Sequence, residues 1–233
     1  MHTILTDCRY YEEICAAWGK EFHVLPSFYH PQLPTPTAGH PDMTLFSAGN
    51  KTFICAPEAY GYYQRLLASC RVKLVQGERS PAGHYPMDIA YNVARAGKHL
   101  LAHPSADPAI LRYAEENDFL IHKTKQGYAK CSSCIVSEGA LITADPSIFR
   151  TAREAGLSVL KIRPGAVALP GYDCGFLGGA SGLLPDGRLL FFGDISAHPD
   201  SRAIFDFCAR FGVRVQYLKN RPLTDIGTIL SID

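Results

Sequence analysis

The stretch GALITADPSIFRTAREAGLSVLKIR (residues 139–163) reads as strand, helix and strand in close succession. Its ALIT run is apolar and stops at Asp145-Pro146, where aspartate suits a helix N-cap and proline the first helical position. Ile148, Ala152 and Ala155 then recur at helical spacing, Gly156 ends the helix, and SVLKI resumes an extended pattern.

Working outward, the same order recurs along the chain. Apolar runs that end at Pro, Asp or Ser stand at HTILTDCR (2–9), KTFICAPE (51–58), KHLLAHPS (98–105) and RLLFFGDIS (188–196). An amphipathic segment follows each, from YYEEICAAWG to HPDSRAIFDFCARFG, and then another strand: EFHVLPS, RVKLVQ, DFLIHKT and VRVQYLK. Gly19, Asn117, Gly156 and Gly212 are expected in the left-handed conformation beyond the helices. A further strand precedes each apolar run, so the repeating unit is strand, strand, helix, strand.

The register of the first strands is set by counting back from Pro57, Pro104, Pro146 and Asp194, taken as helix starts. The count places Asp42, Asp88, Cys131 and Asp173 at one shared position, with the longer fourth copy assigned to a longer hairpin tip at LLPDGR. The fifth unit is split: DIGTILSID, opening at Asp225, supplies its first strand and HTILTDC its second. Those strands pair only if the two ends of the chain meet, which predicts a closed ring of five units in one domain spanning 1–233. A doubly wound sheet is excluded, because no GxGxxG or GxxxxGK loop follows a strand.

Composition narrows the function classes. With 233 residues and 47% hydrophobic content the chain builds an ample core, and a net charge of +1 leaves no basic footprint for nucleic acid. The start lacks a signal-peptide pattern and no run approaches the roughly 18 apolar residues of a membrane span, so the expected location is cytoplasmic, with no membrane partner. Eight irregularly spaced cysteines read as reduced thiols. Oligomeric state is left open, homo-oligomers included.

A ring of five strand-strand-helix-strand units resembles the pentein fold, the five-bladed α/β propeller of the guanidino-group-modifying enzymes: arginine deiminases, dimethylarginine dimethylaminohydrolases, agmatine deiminases and amidinotransferases. The residues that carry the resemblance are GHPDMTLFSAGN, YPMDIAYN, KCSSCIV, GYDCGFLGGASG and PLTDIGTILSID. HPDMTLF resembles the HxD strand of arginine deiminases, which implies that His40 is a general acid/base and Asp42 part of the substrate site. GYDCGFLGG resembles a second acidic strand, implying a guanidinium-binding role for Asp173. The sequence is also similar to an uncharacterised bacterial group of pentein-like proteins. It departs from the catalytic members in one respect: their nucleophilic cysteine lies near the C-terminus, whereas here Leu223 and Thr224 occupy that region and no cysteine follows Cys208.

In the counted register, Cys131 stands where the other units place Asp42, Asp88, Asp173 and Asp225. Four carboxylates around one thiol suit a planar, donor-rich guanidinium or amidine, whose central carbon the thiol could attack. Cys134 alternates to the opposite strand face, opposite counterparts Leu45, Tyr91, Phe176 and Thr228, and reads as packing. A CxxC without a second ligand pair is not a structural zinc site, and neither metal nor cofactor is expected. Two readings follow. One is a cysteine-dependent enzyme, hydrolase or amidinotransferase, with Cys131, His40 and Asp42 catalytic and Asp88, Asp173 and Asp225 holding a small cationic substrate. The other is a non-catalytic pentein-fold protein that binds a cation or a macromolecular partner. His99 with His103, His198 and the GGASG run (178–182) are weaker candidates, each also explained by a helix start or a hairpin.

Overall fold

Asp145 accepts hydrogen bonds from the amides of Ser147 and Ile148, each at 2.8 Å, and so caps the helix in the stretch quoted above. Such a cap contributes about 1 kcal/mol. The computed structural model describes all 233 residues and repeats this arrangement five times.

Each unit is a three-stranded sheet whose middle strand pairs antiparallel with the first and parallel with the third, the helix crossing over between the last two. The first blade to be completed in the chain contains β3 (Leu45–Gly49), β4 (Thr52–Cys55), α2 (Pro57–Leu66) and β5 (Lys73–Gln76). The next contains β6 (Ala94–Ala96), β7 (His99–Ala102), α3 (Pro108–Glu116) and β8 (Leu120–Lys123). It is followed by β9 (Cys134–Ser137), β10 (Ala140–Thr143), α4 (Pro146–Glu154) and β11 (Ser158–Lys161). Then come β12 (Ser181–Leu183), β13 (Arg188–Phe191), α5 (Ser201–Arg210) and β14 (Arg214–Tyr217).

The ends of the chain share the fifth blade. β15 (Leu230–Ser231) pairs antiparallel with β1 (His2–Thr6), which is followed by α1 (Tyr11–Trp18) and β2 (Phe22–Pro26). The Ile232 amide donates to Thr3 O at 3.0 Å, and the Asp233 carboxylate accepts from the Thr3 amide at 3.2 Å. Apolar side chains from this seam and its neighbour, among them Ile4, Trp18, Leu190, Phe192 and Ile229, form one buried cluster. Each such side chain contributes about 1.5–3 kcal/mol by leaving water.

Residues of all five first strands line a central cavity of about 520 Å³. The third strands β5, β8, β11 and β14 carry their exposed residues at their ends and lie towards the outside. This is the five-bladed α/β propeller that the repeat predicts.

The register differs from the counted one. Gly77, Thr124, Ile162, Leu218 and Ser27 donate their amides to Cys55, Ala102, Thr143, Phe191 and Thr6, which makes those five carbonyls equivalent across the ring. Pairing from them makes Cys134 the counterpart of Phe46, Ala94, Gly182 and Leu230, not of Leu45, Tyr91, Phe176 and Thr228. Pro104 lies in a turn, with α3 starting at Pro108, and Asp194 caps a separate 3-10 turn, Ile195–Ala197, ahead of α5. The error has other causes, in the lengths of the connections. Pro146 stands one residue further past Thr143 than Pro57 stands past Cys55, which displaces Cys131, and the β6–β7 hairpin is shorter than the β3–β4 hairpin, which displaces Asp88. The LLPDGR hairpin is no longer than its counterpart, since Ser181 faces Phe191 as Leu45 faces Cys55.

Among the expected helix stops, Gly156 and Gly212 are left-handed, at φ +83° and +70°. Gly19 keeps a helical conformation, and Asp118 rather than Asn117 turns left-handed after α3.

Candidate active site

The side chains of interest lie in turns ahead of the first strands, close to the ring axis. Pro41 opens a 3-10 turn, Pro41–Met43, which follows His40 in extended conformation and presents Asp42. The turn is held from across the ring by the Asp42 amide, which donates to Gly227 O at 3.3 Å. Gly227, at φ +64°, leaves room for His40: a side-chain carbon there would lie 2.2 Å from His40 Cβ.

Cys131 sits in the turn before β9 and Cys134 opens that strand inside an apolar cluster, so the CxxC divides into one central thiol and one packing residue. The Cys131 Sγ donates to Asp42 Oδ2 at 2.8 Å. Asn92 grips the same turn: its Oδ1 accepts from the Lys130 and Cys131 amides at 2.8 and 3.2 Å, and its Nδ2 lies 3.3 Å from the Sγ.

Asp225 is fixed by backbone amides, Oδ1 accepting from Gly227 and Oδ2 from Phe176, each at 2.9 Å. The glycines of GFLGG make this fit, because a side-chain carbon at Gly179 would fall 1.9 Å from Asp225 Oδ1. The GGASG run is therefore built around a carboxylate of the chain itself. His40 lies between two carboxylates, its Nδ1 3.9 Å from Asp225 and its Nε2 3.9 Å from Asp7, and neither ring nitrogen has a hydrogen-bond partner. Lys130 completes the group, its Nζ donating to Thr228 Oγ1 at 2.7 Å and Gly178 O at 3.3 Å.

Not every expected residue joins. Asp88 is buried but bonds Tyr128, whose hydroxyl donates to Oδ2 at 2.5 Å, and its Oδ1 is unpartnered. Asp173 is a clear departure: it is exposed and lines a separate pocket with Asp194, His198 and Arg221. In the observed register Gly178 stands where Asp42 does, and in the third blade that place belongs to Lys130, one residue before Cys131. The shared acidic position does not exist; Asp42, Cys131 and Asp225 converge because their turns meet near the axis. His99 stacks on His122 with ring nitrogens 3.0 Å apart, away from His103, which bonds the Ser105 amide.

Burial governs the electrostatics. It pushes the Asp42 carboxyl up to about 7, against the hydrogen bond from Cys131 and the Lys130 charge. Asp225 rises to about 6 for the same reason, partly offset by its two amide donors. Burial, with Arg9 nearby, lowers His40 to about 3, so its imidazole is neutral at ordinary pH. The Cys131 thiol is held well above its usual value by burial and by Asp42 and Asp225. Cys131 is thus a protonated thiol aimed at a carboxyl that titrates near neutrality. One donor atom each from His40, Cys131 and Asp225 lies within 4.8 Å of the others, so these residues could hold a metal ion, although both Asp225 oxygens are already engaged.

Sequence reasoning missed Asn92, Lys130 and Asp7. Lys130 adjoins Cys131 and was findable from a correct register; Asn92, in the loop before β6, carries no periodic signal. Asp7 reads as a helix cap, which it is, accepting from the Arg9 amide at 2.9 Å.

The profile of a family of unknown function, DUF6873, matches residues 5–230. The chain belongs to the DUF6873 family. A search of the curated proteins found no match to this DUF6873 member. Among solved structures it is similar to SxtG, an amidinotransferase from Microseira wollei in the saxitoxin biosynthetic pathway, with a TM-score of 0.58 at 13% identity, covering 97% of this chain and 80% of that one. It is also similar to the DDAH of Pseudomonas aeruginosa complexed with citrulline, with a TM-score of 0.59 at 10% identity, covering 94% and 92%. A third similar structure is inosamine-phosphate amidinotransferase from Streptomyces griseus, with a TM-score of 0.55 at 14% identity, covering 95% and 78%. These likenesses establish the pentein fold of the DUF6873 chain. No helix in it is long and apolar enough to cross a membrane.

Proposed function

We propose that this protein is a cysteine-dependent enzyme acting on a guanidino or amidino group, as a deiminase-type hydrolase or an amidinotransferase. The observation that carries the reading is the Cys131 Sγ hydrogen-bonded at 2.8 Å to Asp42 Oδ2 within a buried group that includes His40 and Asp225. The fold it shares with guanidino-modifying enzymes supports the reading without assigning the chemistry.

In this mechanism Asp42 and Asp225 receive the substrate cation, whose charge draws both carboxyls and the thiol towards their ionised forms. Asp42 takes the thiol proton as Sγ bonds to the central carbon and a C=N electron pair moves onto nitrogen. The tetrahedral adduct then expels ammonia or an amine, which leaves with that proton, and an S-amidino cysteine remains. Asp42, ionised again once the amine has left with its proton, deprotonates the water or acceptor amine that attacks this carbon, and neutral His40 orients that nucleophile through a ring nitrogen. The C–S bond breaks, Cys131 regains a proton, and the product is a urea or a new guanidine.

The test is labelling with 2-chloroacetamidine, a cation-shaped thiol alkylator, read by mass spectrometry beside assays for ammonia and urea release from a panel of guanidines. Selective labelling of Cys131 that guanidines suppress, with turnover lost in Cys131→Ser, is the expected result. Labelling no faster than at the other cysteines, together with no turnover, overturns it.

A second reading draws on burial. Cys131 is 3% exposed, and His40, Asp42 and Asp225 are 1% each. A non-catalytic protein that holds a small cation in a sealed acidic centre fits those values, and is supported if guanidines bind without turnover.

A further inference from the structure

The central cavity has a second chemical character at the end away from Cys131. Its inner end reaches Asp42, Lys130 and Thr228, and its mouth lies among the hairpin tips, at Asn50, Lys51, Glu138 and Gly187. One apolar side chain from each blade, Leu45, Val93, Ile135, Leu183 and Ile229, lines the wall between.

Three cations, Lys51, Arg95 and Lys130, line this space with three carboxylates, Asp42, Glu138 and Asp233, the last engaged by His2 and the Thr3 amide. None of the three cations has a carboxylate within ion-pairing distance. The arginines that do pair are Arg9, Arg112, Arg163, Arg188, Arg202 and Arg221. Lys130 is satisfied by neutral oxygens at the floor. Arg95, on β6, is half-buried and makes a single hydrogen bond, from Nη1 to Gly97 O at 3.2 Å. Its guanidinium is seated against Gly49, where a side-chain carbon would come within 2.8 Å of Cζ. The absence of a side chain at Gly49 thus makes room for the guanidinium, which lines the cavity with N–H donors left over from its one hydrogen bond. Burial lowers the Arg95 pKa, and the Glu138 charge offsets only part of that cost.

We infer that the mouth of the channel is a binding site for a small organic anion, its carboxylate or phosphate head on the Arg95 fork with Lys51 beside it and its apolar body in the channel. A planar guanidinium held in one orientation binds such a head bidentately. The apolar wall selects an anion with a hydrocarbon portion over a bare hydrated ion. This site is independent of any chemistry at Cys131, and Cys131→Ala leaves it intact.

The test is titration of the full chain with hexanoate and, separately, with inorganic phosphate, followed by the amide NMR shifts of Ser47, Gly49 and Ser137 and by calorimetry. At least one probe is expected to bind saturably. Arg95→Gln should weaken it about tenfold or more, as loss of a charged bidentate contact implies. Lys51→Gln, at an exposed tip where folding is not at risk, should weaken it several-fold, and Glu138→Gln should strengthen it. Hexanoate is expected to bind more tightly than phosphate, because only it has a hydrocarbon portion for the apolar wall, and tighter binding of phosphate overturns the role given to that wall. Saturation by neither probe, or affinity unchanged in both Arg95→Gln and Lys51→Gln, overturns the inference.

Discussion

Asn92 holds Cys131 at two points, accepting from its backbone amide through Oδ1 and reaching its sulfur through Nδ2. One side chain therefore fixes both the turn and the direction of the thiol. Asn92→Ala leaves the Lys130 and Cys131 amides without their acceptor, and the expected loss is about 1–3 kcal/mol in urea unfolding. Because the Asn92 contact lowers the Cys131 pKa, the same variant should also alkylate more slowly at a given pH.

The raised carboxyl of Asp42 predicts a pH signature. A folded-state value of about 7, against 3.8 for the free group, stabilises the protein fully below about pH 4, and that contribution is lost as pH rises towards 7. Asp42→Asn removes the titration while keeping an oxygen that can accept from Cys131. Urea unfolding between pH 4 and 8 should show the variant gaining stability relative to the parent as pH rises. A pH-independent difference would show that Asp42 titrates normally.

His40 predicts the opposite slope. Its pKa, lowered from 6.5 to about 3, means that stability is fully present above about pH 6.5 and falls as pH drops towards 3. Both ring nitrogens are buried without partners, so His40→Phe is expected to match or exceed parental stability at pH 7 by about 1 kcal/mol. Its advantage should widen in acid. The same variant should abolish any guanidine turnover, and thermal melts paired with the ammonia assay read both effects.

Asp173 provides the contrast. Exposed and outside the buried group, it should tolerate Asp173→Ala with a change in stability within about 0.5 kcal/mol. Chloroacetamidine labelling of Cys131 should be unaltered. Slower labelling in this variant would return Asp173 to the site.

The ring was legible in the sequence because its signals are local and repeated: apolar runs, an Asp-Pro cap at Asp145, helix-stopping glycines, and a split fifth unit that only closure satisfies. Site residues were legible only in part. His40, Asp42, Cys131 and Asp225 meet in space, but the symmetry argument that grouped them fails, since Ala90, Lys130, Gly178 and Ile226 are the true counterparts of Asp42. Apolar runs and caps do not report how many residues a hairpin or a strand-to-helix connection holds. Miscounting those connections moved the register of the blades and brought the wrong aspartates forward. Asn92 acts through loop geometry, which leaves no pattern in the order of residues.

The seam between β1 and β15 also sets a schedule. β1 finds its parallel neighbour β2 about twenty residues along the chain, Ile4 facing Val24, whereas its antiparallel neighbour lies more than two hundred residues away, Ile4 facing Ser231. Bringing such distant segments together carries the larger loop-closure cost, so the β1–β15 pairing is expected to form late in folding, after the local contacts within the blades. The same segment carries Asp225, so closure of the ring and completion of the buried acidic group are one event.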